Sequence, residues 1–157
     1  MIVHEITPAI DLNTLLTGAQ FADAFRIEID DRALDARQAA ERMMTRQPRW
    51  IEVLTSLRNI LVTPFGLMTS GASVATSRGM IGLFPVISET PDRLVAGFND
   101  KHLDFRVVVD ITNSGTVRNV TATTLVKTHN WLGRSYLAII VPFHRLIVPT
   151  LLRQIAA

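Results

Sequence analysis

The stretch that decides the fold is the C-terminal one, WLGRSYLAIIVPFHRLIVPTLLRQ, residues 131–154. At about 100° per residue its apolar side chains fall on two neighbouring stripes, which predicts one long helix. We expect the first stripe to pack on a β-sheet, whereas the second needs another cover, such as the N-terminal segment, the preceding helices, a partner subunit or a bound molecule. The first stripe is Leu132, Tyr136, Ile139, Ile140, Phe143, Leu146 and Ile147, and the second is Leu137, Val141, Val148 and Leu152 with His144 beside them.

The length and hydrophobicity of this predicted helix are similar to those of a membrane span, but its charged residues argue against one. Arg134, His144 and Arg145 interrupt its apolar character. The unbroken apolar run, residues 136–143, is much shorter than the roughly 18 residues that a span needs. No transmembrane segment is therefore predicted. Pro142 removes a backbone donor in mid-helix, so we expect a kink there that leaves room for a cavity.

The residues before this helix predict two shorter helices and a set of strands. Residues 25–30 alternate apolar and charged side chains, as a half-buried strand does. Asp35 and Gln38 have the spacing of a capping box at the start of a helix, and Pro48 suits the first turn of the next one. The predicted buried face of that second helix is Trp50, Val53, Leu54, Leu57 and Leu61. A loop over 67–79 then precedes four predicted strands, within residues 80–89, 93–99, 103–111 and 118–129.

The connections and the alternation of the strands indicate the fold class. The last three strands are separated by short turn-like segments, which favours antiparallel hairpins. In residues 103–111 apolar and charged side chains alternate, which is typical of a sheet with one covered face and one wet face. Asn130 is a good N-cap for the final helix. The sequence therefore predicts a single α+β domain over 1–157, in which a curved antiparallel sheet wraps the C-terminal helix.

Composition and charge exclude several functional classes. Of 157 residues, 48% are hydrophobic and 19% charged, which fits a globular chain, and the absence of cysteine excludes disulfides and thiolate metal sites. The N-terminus lacks the pattern of a signal peptide, so a cytoplasmic location is expected. The net charge of +2 gives no indication of nucleic-acid binding. Residues 111–157 nevertheless carry five basic side chains and no acidic one, which fits either pairing with the acidic front half or a surface for an anionic ligand.

Four stretches carry a family resemblance. They are PRWIEVLTSLRNILVTPFGL, IGLFPVISET, HLDFRVVVDI and TTLVKTHNWLGRSYLAIIVPFHRLIV. They resemble a bacterial family described as a domain of unknown function, DUF 2867, from about Phe25 to the end of the chain. That family is similar to the START-like, polyketide-cyclase-like helix-grip group (SRPBCC). The resemblance implies a sheet around a long C-terminal helix and an apolar cavity between them, and it implies no catalytic residues.

Candidate functional residues follow from this expected cavity. Arg58 could neutralise an anionic group of a ligand, and His129 lies where the last strand meets the helix. No histidine or carboxylate group has metal-ligand spacing, and no phosphate loop or dinucleotide fingerprint occurs, so neither a metal nor a cofactor is predicted. The candidate cavity lining is Arg58, Phe105, Val107, His129, Tyr136, Ile140 and Phe143.

Three functional hypotheses remain open. The first is a protein that binds an apolar or amphipathic small molecule between the sheet and the C-terminal helix. The second is a cyclase-like or dehydratase-like enzyme in which His129 acts with Glu89 or Asp110. The third is a homodimeric structural protein with a filled interior. A homo-oligomer is expected under each of them, because exposed apolar stripes mark interfaces.

Overall fold

The computed structural model of this chain describes residues 2–45, 48–62, 79–81 and 84–156. In the described residues seven strands form an antiparallel sheet in the order β1-β2-β7-β6-β5-β4-β3. The strands are β1 (His4–Ile6), β2 (Phe21–Ile29), β3 (Met80–Ile81), β4 (Phe84–Glu89), β5 (Arg93–Asn99), β6 (Leu103–Ser114) and β7 (Val117–Thr128). The helices are α1 (Leu12–Leu15), α2 (Ala36–Thr45), α3 (Arg49–Val62) and α4 (Trp131–Ala156).

The predicted fold class is confirmed as α+β, with an antiparallel sheet followed by a long C-terminal helix. Both predicted caps are present. Asn130 Oδ1 accepts a hydrogen bond of 3.0 Å from the Gly133 amide, and the capping box of Asp35 and Gln38 closes with bonds of 2.8 and 3.2 Å. Strand β1 and helix α1 were not predicted, and α2 and α3 therefore follow the second strand of the structure rather than the first.

The main core lies on one face of the sheet, here called the inner face, against α2 and the last turns of α4. Side chains in alternate positions of the central strands point into it, because successive strand residues face opposite sides. Leu94 and Val109 are paired across β5 and β6, and Val120 and Ile27 are paired across β7 and β2. These four are at most 2% exposed, so this end of the inner face is closed to solvent.

The opposite, outer face carries a second and smaller apolar cluster. Leu16 of α1 packs on Val95, Val108 and Leu125, with Ile10 at its edge. The prediction of one covered face and one wet face is therefore wrong in this region, because the N-terminal segment covers part of the outer face. Val95 and Val108 are apolar residues at outward positions that are otherwise mostly polar. Periodicity within the strands does not say which segment covers them.

The two stripes of α4 are not used as predicted, because only one side of the first stripe, including Ile147, packs toward the core. Ile139 and Leu146, from the stripe expected on the sheet, are 66% and 62% exposed, and Phe143 is 41% exposed. Val148 and Leu152, from the second stripe, are buried in the core. The prediction failed because both stripes are equally apolar, so the helical period alone does not say which one packs.

Helix α3 shows the same pattern of exposed apolar side chains. Trp50, Val53 and Leu57 were predicted to be buried and are instead exposed, whereas Ile51 belongs to the core. The side chains of Leu54 and Leu61, and most of the predicted loop (residues 67–78), lie outside the described residues.

Helix α4 is 26 residues long and includes Pro142 and Pro149. By length and composition alone it could cross a membrane, and 17% of its most apolar window is buried. Its last turns, however, contribute Leu151, Leu152 and Ile155 to the protein core. In this fold, α4 is thus a core helix at its C-terminal end and an exposed apolar helix before that.

Candidate functional site

A row of apolar side chains crosses the inner face at the end that α2 does not close. The strand register places Phe98 opposite Phe105, Phe105 opposite Val126, and Val126 opposite Phe21. The ring of Phe84 lies 5.0 Å from that of Phe105 and 6.0 Å from that of Phe98. These residues lie on five neighbouring strands about 4.8 Å apart, so the row spans about 19 Å. We call these five residues the aromatic platform.

The platform is only partly covered by protein. Phe21, Phe84, Phe98 and Phe105 are half-buried, whereas Val126 is buried. The side chains of α2 lie on β5 and β6, and α4 lies mainly on β2 and β7. The exposed parts of these rings therefore offer apolar area that a bound molecule can remove from water.

A buried polar pair closes one end of the platform. His144 Nε2 lies 3.1 Å from Asp23 Oδ1, and the imidazole packs edge-on against Phe21 at 6.1 Å between ring centroids. The Asp23 carboxyl group is buried, and its Oδ2 has no hydrogen-bond partner among the described residues. A buried oxygen without a partner is costly, and it is the kind of group to which a ligand hydroxyl or amide can donate.

Local structure explains why these two residues meet. Asp23 occupies an inward position of β2, in phase with Phe25, Ile27 and Ile29. His144 lies on the side of α4 that carries Val148 and Leu152 and that packs on β2. The carboxyl group and the imidazole are therefore brought together between sheet and helix.

The sequence interpretation missed this pair. It treated His144 as the edge of an apolar stripe and did not consider Asp23. One signal could have found it, because a carboxylate in the apolar phase of a strand needs a buried partner. His144, in the stripe that turned out to be buried, is the matching side chain.

His129 lies at the predicted junction between the last strand and α4, but its side chain contacts the outer side of the sheet rather than the platform. Its Nε2 lies 3.0 Å from Asp104 Oδ1, and Asp104 occupies an outward position of β6. The neighbouring Asn130 Nδ2 lies 2.8 Å from His102 Nδ1. His129 thus belongs to a polar junction between the start of α4 and the turn before β6, on the outer side of the sheet.

The predicted pairing of His129 with Glu89 or Asp110 is wrong. Glu89 pairs with Arg37 at 2.9 Å, and Asp110 pairs with Arg93 at 2.6 Å. The hydrogen bond that Arg37 donates to Glu89 is the main reason why the pKa of Arg37 is raised above its ordinary value. Arginines, and not His129, are therefore the ion-pair partners of both carboxylates.

The other predicted lining residues divide between two surfaces. Phe105 and Val107 are half-buried on the inner face, and Tyr136 and Ile140 are half-buried on α4. Phe143 belongs to the exposed side of α4. Arg58 lies in α3, and its side chain is outside the described part of the chain.

The outer face has its own polar groove of about 490 Å³ beside the N-terminal segment. Arg26, Thr121 and Thr123 line it, together with the ion pair of Arg93 and Asp110. The Nε of Arg26 is buried without a hydrogen-bond partner among the described residues. Because the carboxylate of Asp110 also faces this groove, its charge is mixed rather than uniformly cationic.

Arg106, on the same outer face, has a structural role. Its Nη1 donates to the backbone carbonyls of Phe98 and Phe105 at 3.1 and 2.8 Å. Burial of the guanidinium lowers the pKa of Arg106 from its ordinary value. In the part of the chain that the structure describes, no three histidine or carboxylate side chains are placed to hold a metal ion.

The fold and the platform define a class before any comparison is made. An antiparallel sheet that holds the end of a long C-terminal helix, with half-buried rings on the face toward that helix, is an α+β protein of the helix-grip type. The chain belongs to the family described as "Protein of unknown function (DUF2867)", which matches residues 15–151.

Further comparison yields one similar solved structure. CalU16 from Micromonospora echinospora is 12% identical in sequence, with a TM-score of 0.34, over 85% of this chain and 80% of that one. No curated protein matches the chain.

Proposed function

We propose that this protein binds an apolar or amphipathic small molecule on the inner face of its sheet, beside α4. The apolar part of the ligand lies on the aromatic platform, and its polar group meets His144 and Asp23. The observation that carries this proposal is the continuity of the row, which runs from half-exposed phenylalanines to a buried carboxyl group with a free oxygen.

The chemistry of the site supports this ligand class. Binding sites for small molecules are mostly apolar, with a few polar groups that fix the orientation of the ligand. Three stacked phenylalanines supply the apolar area, and the polar pair supplies a donor and acceptor at one end. A platform of about 19 Å suits a molecule with an extended or fused-ring apolar body.

The anchor differs from the one that the sequence indicated. His129 is engaged with Asp104 on the outer side, so His144 takes the proposed anchoring role. Tyr136 and Ile140 stay in the proposed lining, because both are half-buried on α4. Phe143 is assigned to another surface on account of its exposure.

A binding titration tests the proposal with two probes, anilinonaphthalene sulfonate and palmitate. Phe105→Ala should weaken binding about tenfold or more, because a central ring of the platform is lost. Ile87→Ala is the matched control, since Ile87 is an exposed apolar side chain on β4 outside the platform. Phe98→Leu, which keeps apolar volume, guards against a loss that merely reflects unfolding. Equal affinities for all four proteins would contradict the proposal.

Native mass spectrometry of the purified protein detects a natural ligand that co-purifies with it. A stoichiometric small molecule released on denaturation, and absent from Phe105→Ala, would support binding at the platform. A ligand retained equally by Phe105→Ala would place binding elsewhere on the molecule.

A second candidate function is acid–base catalysis on the bound molecule, and the Asp23–His144 pair is the observation that favours it. With His144 Nε2 held by Asp23, Nδ1 is the nitrogen left to accept or donate a proton. The test is incubation of the protein with cellular metabolite extracts, followed by mass spectrometry. A compound consumed by the native protein but not by a folded His144→Ala variant supports catalysis. If native protein and variant leave the same compounds untouched, the pair acts in binding alone.

A further inference from the structure

Helices α3 and α4 both expose large apolar side chains to solvent. On α4 the exposed positions 131, 139, 143 and 146 fall on one side of the helix at about 100° per residue. A groove of about 440 Å³ joins the two helices, lined by Trp50, Arg145, Leu146, Pro149, Thr150 and Arg153. We call this surface the helical apolar face; its exposed members are Trp50, Val53, Leu57, Trp131, Ile139, Phe143 and Leu146.

The charged side chains that α4 places around this face are all positive. Arg134 and Arg145 flank it on α4, and Arg153 lies at its C-terminal end, all three exposed. Residues 111–157 contain no acidic side chain, and Glu52 is the single acid in the sequence of α3. A partner for this surface must therefore be apolar at its centre and negative at its edge.

We propose that the helical apolar face docks on the surface of an anionic lipid bilayer. An amphipathic helix with aromatic and aliphatic side chains on one side and arginines beside them lies in the plane of the headgroups. Tryptophan favours this interfacial depth, and arginines near an anionic leaflet add electrostatic attraction. The arginines that line the groove between the helices, Arg145 and Arg153, would meet lipid phosphates.

A second copy of the chain fits the face less well. In a symmetric dimer the same patch meets itself, so the arginines of one α4 would approach those of the other. Glu52 is the acid within the two helices that could offset this repulsion. An anionic membrane satisfies both the apolar centre and the cationic edge, which is why it is the occupant proposed.

The two tryptophans of the chain make this proposal directly measurable. Trp50 and Trp131 both belong to the helical apolar face, so the intrinsic fluorescence reports on this surface. The full-length protein is titrated with vesicles of phosphatidylcholine mixed with phosphatidylglycerol, and with vesicles of phosphatidylcholine alone. We expect a blue shift and co-sedimentation with the mixed vesicles, weakened by added salt.

Two variants locate the contact. Ile139→Glu with Leu146→Glu should reduce vesicle binding more than about tenfold, because charges replace two highly exposed apolar side chains in the middle of the helix. Ile87→Glu, on a strand away from α4, should bind as the native protein does. Arg145→Gln with Arg153→Gln should lose the preference for phosphatidylglycerol and the salt dependence while keeping the apolar face. Circular dichroism and denaturation curves establish that each variant is folded.

Several outcomes would overturn the proposal. The first is a native protein that binds neither kind of vesicle. The second is vesicle binding that is unchanged in the Ile139→Glu, Leu146→Glu variant. The third is a dimer in sedimentation analysis that this variant dissociates, with no vesicle binding by the native protein, because the face would then be covered by a second copy. Ligand binding at the aromatic platform is measured separately, so its failure leaves this result intact.

Discussion

The two halves of α4 are alike in composition and opposite in use. From Val148 onward the helix is an ordinary core helix, with Leu151, Leu152 and Ile155 packed among sheet and α2 side chains. Before that, equally large apolar side chains such as Ile139 and Leu146 face solvent. The difference shows that the hydrophobicity of a side chain in α4 does not by itself determine whether that side chain is buried. The C-terminal half stabilises the protein through its buried side chains. The preceding half exposes apolar side chains that a partner could contact.

The sharpest test of this comparison is a pair of leucine truncations. Leu152→Ala removes a fully buried side chain and should lower the free energy of unfolding by about 2–5 kcal/mol. Leu146→Ala, at the exposed position, should change it by less than about 0.5 kcal/mol. Urea denaturation followed by circular dichroism measures both. Similar losses for the two variants would mean that the exposed half also packs in solution.

The boundary between the halves is His144, and its removal should have an intermediate effect. His144→Leu removes the hydrogen-bond partner of Oδ1 of the buried Asp23, whose Oδ2 already lacks a partner among the described residues, so we expect a loss of about 1–3 kcal/mol. Asp23→Leu with His144→Leu should recover part of that loss, since no buried polar group is stranded. A double-mutant cycle by chemical denaturation measures the coupling. If the double variant is as unstable as the sum of the single ones, the pair contributes nothing as a pair.

The smallest effect is expected at the start of the exposed half. Asn130 caps α4 through the Gly133 amide and also contacts His102, so Asn130→Ala should cost about 1 kcal/mol. Ser135→Ala, at an exposed position of the same helix, serves as the control. Thermal unfolding curves compare the two variants. An Asn130→Ala protein as stable as its control would show that the first turn of α4 does not depend on this cap.

Much of the fold could be predicted because its signals are local. The alternation of side chains in β5 and β6 and the cap at Asn130 depend on residues close in sequence, and the structure contains each of them. The choice between the two stripes of α4 is not local. It depends on β2, where Asp23 needs a buried partner that the second stripe supplies in His144.

The candidate site could be predicted only in part for the same reason. Phe105 and Val107 were assigned to the inner face from alternation, and the structure places them there. The partner of His129 could not be inferred, because strand register brings Asp104 opposite Lys127 and so near the end of β7. Register between strands is a property of the assembled sheet and does not appear in the pattern of either strand.

Pro142 sets a limit on the depth at which α4 can enter a bilayer. Because proline has no amide hydrogen, the carbonyl group of Ala138, one turn earlier on the exposed side, lacks its usual helical donor. In hydrocarbon that oxygen would have nothing to accept from, whereas water and headgroups can satisfy it. If α4 docks on a bilayer as proposed, this carbonyl group favours a position of the exposed part of the helix at the level of the headgroups.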